Sequence, residues 1–210
     1  MMKVVVSSII MAVLLNCLAF AAPEPAVVAK PGDWTLEVRF EQPQQMVLPG
    51  AAQQRFWYII LTLTNKSDKD VDFYPQCDLV TDTLQVIPYA RGTPTALFEN
   101  IKNRHHGKYP LLELLENAGN KLLQGEDNTK DVVVIWPDFD PNAKSVSMFV
   151  SGLSNETVAV DSPAEKDPNG SPVKTCLLRK TLELRYSIAG DPKFRSDQKL
   201  KFESRQWVMR

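Results

Sequence analysis

Apolar and polar side chains alternate without a break from Trp34 to Glu41. Trp34, Leu36, Val38 and Phe40 fall on one side, Thr35, Glu37, Arg39 and Glu41 on the other. A period of two marks a strand with one buried and one wet face. Pro43, Pro49 and Gly50 then break the chain, and the run Phe56 to Thr64 is aromatic and β-branched on both faces, the composition of a central strand. It stops at the polar cluster Asn65 to Asp70. Shorter strands are expected at Val71 to Tyr74, before Pro75, and at Val80 to Ile87, before Pro88. Strand patterning returns at Val132 to Trp136, crosses a turn at Asp138 to Asn142 and resumes at Ser145 to Val150. Residues 161–172, with Pro163, Pro168, Asn169-Gly170 and Pro172, read as a long loop or β-arm. Leu182, Leu184, Tyr186 and Ile188 then alternate with Glu183, Arg185 and Ser187. Gly190-Asp191-Pro192 turns the chain, and Leu200 to Met209 closes it as a strand.

In the middle the period changes. Thr93 stands where a helix cap belongs and Pro94 at the first helical position. Leu97, Phe98, Ile101 and His105 share one helical face, and Gly107 ends it. Leu111, Leu112, Leu114 and Leu115 continue the helical character as far as Gly119, while residues 121–126 fit either a strand or a helix end. About eight strands with turn chemistry between them, and a helical insertion at about 93–118, predict a mainly β fold. The expected architecture is an antiparallel β-sandwich, with a closed barrel as its rival. Leu36, Val38, Phe40, Ile59, Leu61, Leu63, Val134, Leu182, Leu184 and Tyr186 are expected to share one inter-sheet core. The insertion should lie outside the two sheets, covering an edge or an open end, either as a lid or as an exposed binding surface.

The N-terminus changes the setting in which this domain is read. Met1-Met2-Lys3 precedes an apolar stretch from Val4 to Leu15, and Ala19-Phe20-Ala21 supplies an A-x-A pattern. These are the parts of a secretory signal peptide over residues 1–21, cleaved after Ala21. The run is shorter than the roughly 20 apolar residues a bilayer span needs. Cys17 suggests a lipoprotein route, but Asn16 stands where that processing requires a small residue. Residues 22–33 form a Pro-rich flexible leader, and residues 34–210 a single domain. The expected location is secreted or periplasmic, and no later segment is apolar enough for a transmembrane helix.

Charge and chemistry narrow the function more than they define it. The full chain carries a formal net charge of −1, so no basic excess favours nucleic acid. His105 and His106 are adjacent, so on a helix they point about 100° apart and do not chelate one metal; they read instead as a basic helix terminus. Asp138 and Asp140 suit a hairpin turn better than a Ca²⁺ loop, and Glu126, Asp127 and Asp131 are read the same way. No nucleophile elbow or phosphate loop is present, and no catalytic, cofactor-binding or metal-ligating residue is assigned. No cofactor is expected. Trp34, Trp57, Trp136 and Trp207 read as core. Cys77 and Cys176 are a possible disulfide, which would add roughly 4–5 kcal/mol in the chain-entropy model; the other reading is two buried free thiols acting as small hydrophobes.

The string Leu61-Thr62-Leu63-Thr64-Asn65, its Lys/Ser/Asp turn and Val71-Asp72-Phe73 resemble secreted bacterial immunoglobulin-like (telokin-like) β-sandwich domains. Gly125-Glu126, Val132 to Pro137 and Ser145 to Gly152 look like the second half of the same pattern. The chain from residue 22 onward is also similar to exported bacterial proteins of unknown function, through Trp136-Pro137-Asp138-Phe139-Asp140 and Gly152-Leu153-Ser154-Asn155-Glu156-Thr157. The resemblance implies an immunoglobulin-like sandwich and brings no catalytic motif. The expected function is an exported, non-enzymatic binding or structural module of the cell envelope, whose partner is an unknown protein or envelope component. The alternatives are a protease-inhibitor or chaperone-like sandwich, or a metal-dependent enzyme that uses the insertion as an active-site wall.

Overall fold

A computed structural model describes residues 23–25, 30–48, 54–161, 175–190 and 198–210. The expected signal peptide over 1–21 with its expected cleavage point after Ala21, Cys17, most of the leader, most of the 161–172 segment and the turn at Asp191-Pro192 lie outside the described residues.

The first sheet is built on two strands that are apolar on both faces. Strand β3 (Gln54–Asn65) pairs antiparallel with β9 (Gly125–Pro137), Ile59 opposite Val134 and Leu61 opposite Val132. Along the other edge of β3 lie β1 (Glu37–Phe40) and β2 (Gln44–Leu48), end to end and separated by Pro43. The two-residue strand β7 (Glu113–Leu114) runs parallel to β9 on the far edge. The second sheet takes the order β13 (Leu200–Met209), β12 (Thr175–Ile188), β10 (Ser145–Ser151), β5 (Gln76–Thr81), β6 (Val86–Pro88). Strand β11 (Thr157–Asp161) carries the line of β10 onward along the first residues of β12. A two-stranded ribbon of β4 (Val71–Asp72) and β8 (Lys121–Leu122) stands apart, so residues 121–122 are strand.

The architecture is an antiparallel β-sandwich with a short helical insertion, not a closed barrel. Alternation puts Ile59, Leu61, Leu63, Val132, Val134 and Trp136 inward, against Leu79, Val146, Met148, Leu182, Leu184 and Tyr186 of the second sheet. All ten expected core residues lie in or against this cluster, with Phe40 at its rim. The other faces of β3 and β9 present Tyr58, Ile60, Val133 and Ile135, and these form a second core with Leu97, Ile101, Tyr109 and Leu112. Each such side chain is worth roughly 1.5–3 kcal/mol when buried. That apolar outer face is what holds the insertion.

The insertion departs from expectation in three ways. Its helix α1 covers only Thr95–His105, and the remainder is turn, β7 and one 3₁₀ turn at Leu115–Asn117. Pro94, not Thr93, is the cap residue, while the Thr93 hydroxyl donates to the Ala90 carbonyl. The insertion covers the outer face of the first sheet as well as an edge: β7 pairs along β9, and the helix covers Tyr58, Ile60, Val133 and Ile135, which would otherwise stand in water. With Leu97, Ile101, Leu112 and Leu115 buried, it is a lid; Leu111 alone of its leucines is strongly exposed.

Elsewhere, the strand expected at Val80 to Ile87 is a hairpin of β5 and β6, turning at Asp82 to Gln85. The strand expected at Val71 to Tyr74 is only two residues long. Strands β2 and β11 had no strong sequence signal. The possible disulfide is absent, and Cys77 and Cys176 are free thiols. Cys77 sits in register with Val150 and, through it, Leu182, whereas Cys176 lies roughly 20 Å further along β12 by strand rise. Bridged cysteines need Cα atoms within about 7 Å. Cys77 is buried in the core, which pushes its thiol pKa well up, and Cys176 is exposed. Among the described residues no helix is long and apolar enough to cross a membrane.

Candidate functional site

Where the lid ends, it meets the chain leaving β1. Glu41 is fixed there by its own backbone, whose N–H donates to the Ile60 carbonyl at 2.9 Å. Its carboxylate accepts from the Tyr109 hydroxyl at 2.5 Å and from the Lys108 ammonium. The lysine and tyrosine hydrogen bonds hold the Glu41 pKa below the usual carboxylate range. The same pair raises Lys108, chiefly through the hydrogen bond to Glu41. Burial, then the glutamate, raises Tyr109.

Beneath this pair lies a second polar cluster. The Tyr58 hydroxyl donates to Gln44 Oε1 at 3.0 Å and lies 3.0 Å from His105 Nε2, with Arg104 Nη1 at 3.4 Å. A hydroxyl that donates its one hydrogen to Gln44 accepts the hydrogen bond from the imidazole, so Nε2 is the protonated ring nitrogen. Burial, followed by the neighbouring Arg104, lowers the His105 pKa and keeps the ring neutral at pH 7. Burial also raises Tyr58. The His105 ring stands edge-on to Tyr58 at 5.8 Å, so its role is to hold the helix end on the sheet.

Beside Lys108 and Tyr109 an open groove of about 660 Å³ runs across the uncovered part of the first sheet to Arg205 of β13. Its floor is the cross-strand row Arg39, Thr62 and Asp131. The Thr62 hydroxyl donates to Asp131 at 2.6 Å, and the hydroxyls of Thr64 and Thr129 pair at 2.9 Å in the next row. Arg205 lies over the Phe40 ring at 5.9 Å. Among the described residues neither Arg39 nor Arg205 is within ion-pair distance of a carboxylate, and nearby Glu37 is held by Lys66 at 2.6 Å. The groove therefore offers two guanidiniums, an ammonium, hydroxyls and an aromatic wall, a set suited to holding polar ligand groups.

The residues weighed from sequence fall mostly elsewhere. His105 joins the tyrosine cluster, while His106 is an exposed helix C-cap. Asp138 accepts from Arg55 and Trp57 Nε1, and Asp140 accepts from the Asn142 N–H, so both close the turn. Among the described residues no group of three or more His, Cys, Asp or Glu is arranged to hold a metal. Glu126 lies near Lys66, and Asp131 is the one acid of that set at the groove. Trp57 and Trp136 are fully buried, and Trp34 and Trp207 are half-buried against the core. The residues that shape the groove, Arg39, Glu41, Lys108, Tyr109 and Arg205, had no motif to mark them. The fold and this groove together define an antiparallel sandwich whose first sheet is half covered by a lid and half open. No protein-family model, curated protein or solved structure matches this chain.

Proposed function

We propose that the chain is an exported, non-enzymatic binding module of the cell envelope, which engages another macromolecule through the groove beside the lid. The observation that carries this reading is the uncovered polar half of the first sheet, with Arg39 on the groove floor and Arg205 at its far end, neither within ion-pair distance of a carboxylate among the described residues. The signal-peptide pattern of residues 1–21 and the resemblance to secreted telokin-like sandwiches support the location. Against a catalytic reading, the half-buried His105 is engaged structurally, its Nε2 on the Tyr58 hydroxyl and its ring packed edge-on to Tyr58 at the end of α1.

The test is retention of an envelope component by immobilised protein, compared with the Arg39→Glu, Arg205→Glu double variant. The expected result is a discrete species held by the unmodified protein and lost in the variant. Equal retention by both, or stoichiometric metal in the purified protein, overturns the reading. N-terminal sequencing of exported material should start at Ala22, and an intact Met1 would remove the export part.

A further inference from the structure

The second sheet carries a cleft of its own on its outer face, away from the groove. Because Cys77, Leu79 and Val150 point into the core, Gln76, Asp78, Phe149 and Ser151 point outward from β5 and β10. They line a cleft of about 460 Å³, closed on the other side by Leu177 and Arg179 of β12 and by Arg210. The Arg210 guanidinium lies 4.1 Å from the centre of the Phe149 ring, a cation–π contact that uses the face of the group rather than its N–H donors. Arg179 and Arg210 exchange backbone hydrogen bonds, so their positions are coupled at the junction of β12 and β13. Among the described residues neither guanidinium is within ion-pair distance of a carboxylate. The buried acid Glu183 is opposite Phe149 but already accepts from Ser147, Arg185 and Gln206.

We propose that this cleft binds an anionic saccharide unit, a sugar ring bearing a carboxylate or phosphate. Two guanidiniums lining one cleft match the flat, multi-oxygen face of such an anion. Asp78, the one side-chain carboxylate of the cleft, would be a poor neighbour for a bare anion, but it is the acceptor that ring hydroxyls need. Gln76 and Ser151 add a neutral amide and hydroxyl, and Leu177, 69% exposed, offers an apolar wall to the C–H face of a ring. This site goes beyond the groove: it lies on the other sheet and shares no residue with it.

The experiment is calorimetric titration of the chain from Ala22 with three probes: oligogalacturonate, its methyl-esterified neutral form, and inorganic phosphate. Oligogalacturonate should bind, the neutral ester should bind at least tenfold more weakly, and binding should fall as salt is raised. Arg179→Gln and Arg210→Gln should each weaken oligogalacturonate at least tenfold. Asp78→Asn should weaken the saccharide and leave phosphate unchanged or tighter. These side chains are surface groups, so unchanged thermal unfolding confirms that each variant is folded. No oligogalacturonate binding at millimolar concentration, or binding indifferent to both arginine variants, overturns the proposal. Phosphate bound as tightly as the saccharide also overturns it, by reducing the cleft to a bare anion site. Groove variants at Arg39 and Arg205 should leave these titrations unmoved, so the two sites fail independently.

Discussion

Replacing Leu84 by glycine should make this protein more stable, although it deletes a large apolar side chain. Leu84 sits at the tip of the β5–β6 hairpin with φ of 64°, the one non-glycine among the described residues with positive φ, and is 87% exposed. The turn cannot relax that angle. The Leu84 N–H donates to the Thr81 carbonyl at 3.0 Å, the Thr81 N–H to Gln85 at 3.0 Å, and the Gln85 N–H to the Thr81 hydroxyl at 3.1 Å. Asp82 pins the turn to the next hairpin through the Lys144 N–H at 3.0 Å. A left-handed conformation costs an L-residue about 1–2 kcal/mol. Glycine removes that strain and returns about 0.5–1 kcal/mol as extra freedom of the unfolded chain. The small buried fraction of the leucine forfeits about 0.3 kcal/mol more. The net gain is about 0.5 kcal/mol. Leu84→Ala keeps the strain and should fall about 0.3 kcal/mol below the parent, for the lost contact alone. Urea unfolding of all three, with unchanged m-values, reads the order directly. The predicted order is glycine, parent, alanine. A glycine variant less stable than the alanine variant would sink the reasoning, since no positive φ could then be held at that position.

Leu61→Ala removes a side chain with no exposure from the inter-sheet core and should cost about 2–5 kcal/mol in denaturant titration; under 1 kcal/mol would mean a misplaced strand. Gly152→Ala should be comparably damaging in the same assay, because its φ is 79° and an added Cβ would stand 2.3 Å from the Tyr74 carbonyl oxygen. Limited proteolysis should cut within 93–118 no faster than within the strands, as a buried lid requires, and rapid cutting there would instead mark it as exposed. Stability should fall on acidification in two stages. The His105 pKa is lowered on folding, so the unfolded chain takes up the proton first, and stability declines as pH drops through the unfolded value near 6.5. The lowered carboxyl of Glu41 adds a second loss, which begins as pH falls into the ordinary carboxylate range and is complete once pH has passed below its lowered value in the folded protein. His105→Gln should flatten the stage between pH 7 and 5.5, and an unchanged slope in urea midpoints would refute the assignment.

Period-two spacing made the strands and the inter-sheet core legible because a buried face constrains every second residue. In β3 the run from Phe56 to Thr64 is apolar on both faces, and both faces are covered. The failures have specific causes. Gln44–Leu48 has no alternation of its own and becomes a strand because β3 offers it an edge. The break within Val80 to Ile87 was hidden because its turn is Asp-Thr-Leu-Gln, with leucine where glycine or asparagine would have signalled a left-handed residue. The helix signal overran beyond Gly107 because Leu112 and Leu115 are placed by contact with the sheet rather than by a helical period.

The groove was illegible for a different reason, which also explains why it exists. The outer face of the first sheet changes character along its length: Tyr58, Ile60, Val133 and Ile135 at one end, Thr62, Thr129 and Asp131 at the other. The apolar end must be covered, and the insertion that covers it borders the open part at Tyr109, where Glu41 receives it. The polar end needs no cover and stays open. Lid and groove are thus two consequences of one boundary, written as a switch from aromatic and aliphatic to hydroxyl residues on alternate positions of β3 and β9. That switch is visible in the sequence only once the two strands are known to be neighbours in register, Thr62 beside Asp131. Arg39, Lys108 and Arg205 come from three distant segments, and pairing and packing alone bring them to that boundary. Extending the apolar end with Thr62→Val and Thr129→Val would therefore remove hydroxyls from the groove while leaving the lid seated, which separates the groove's recognition chemistry from the fold that frames it.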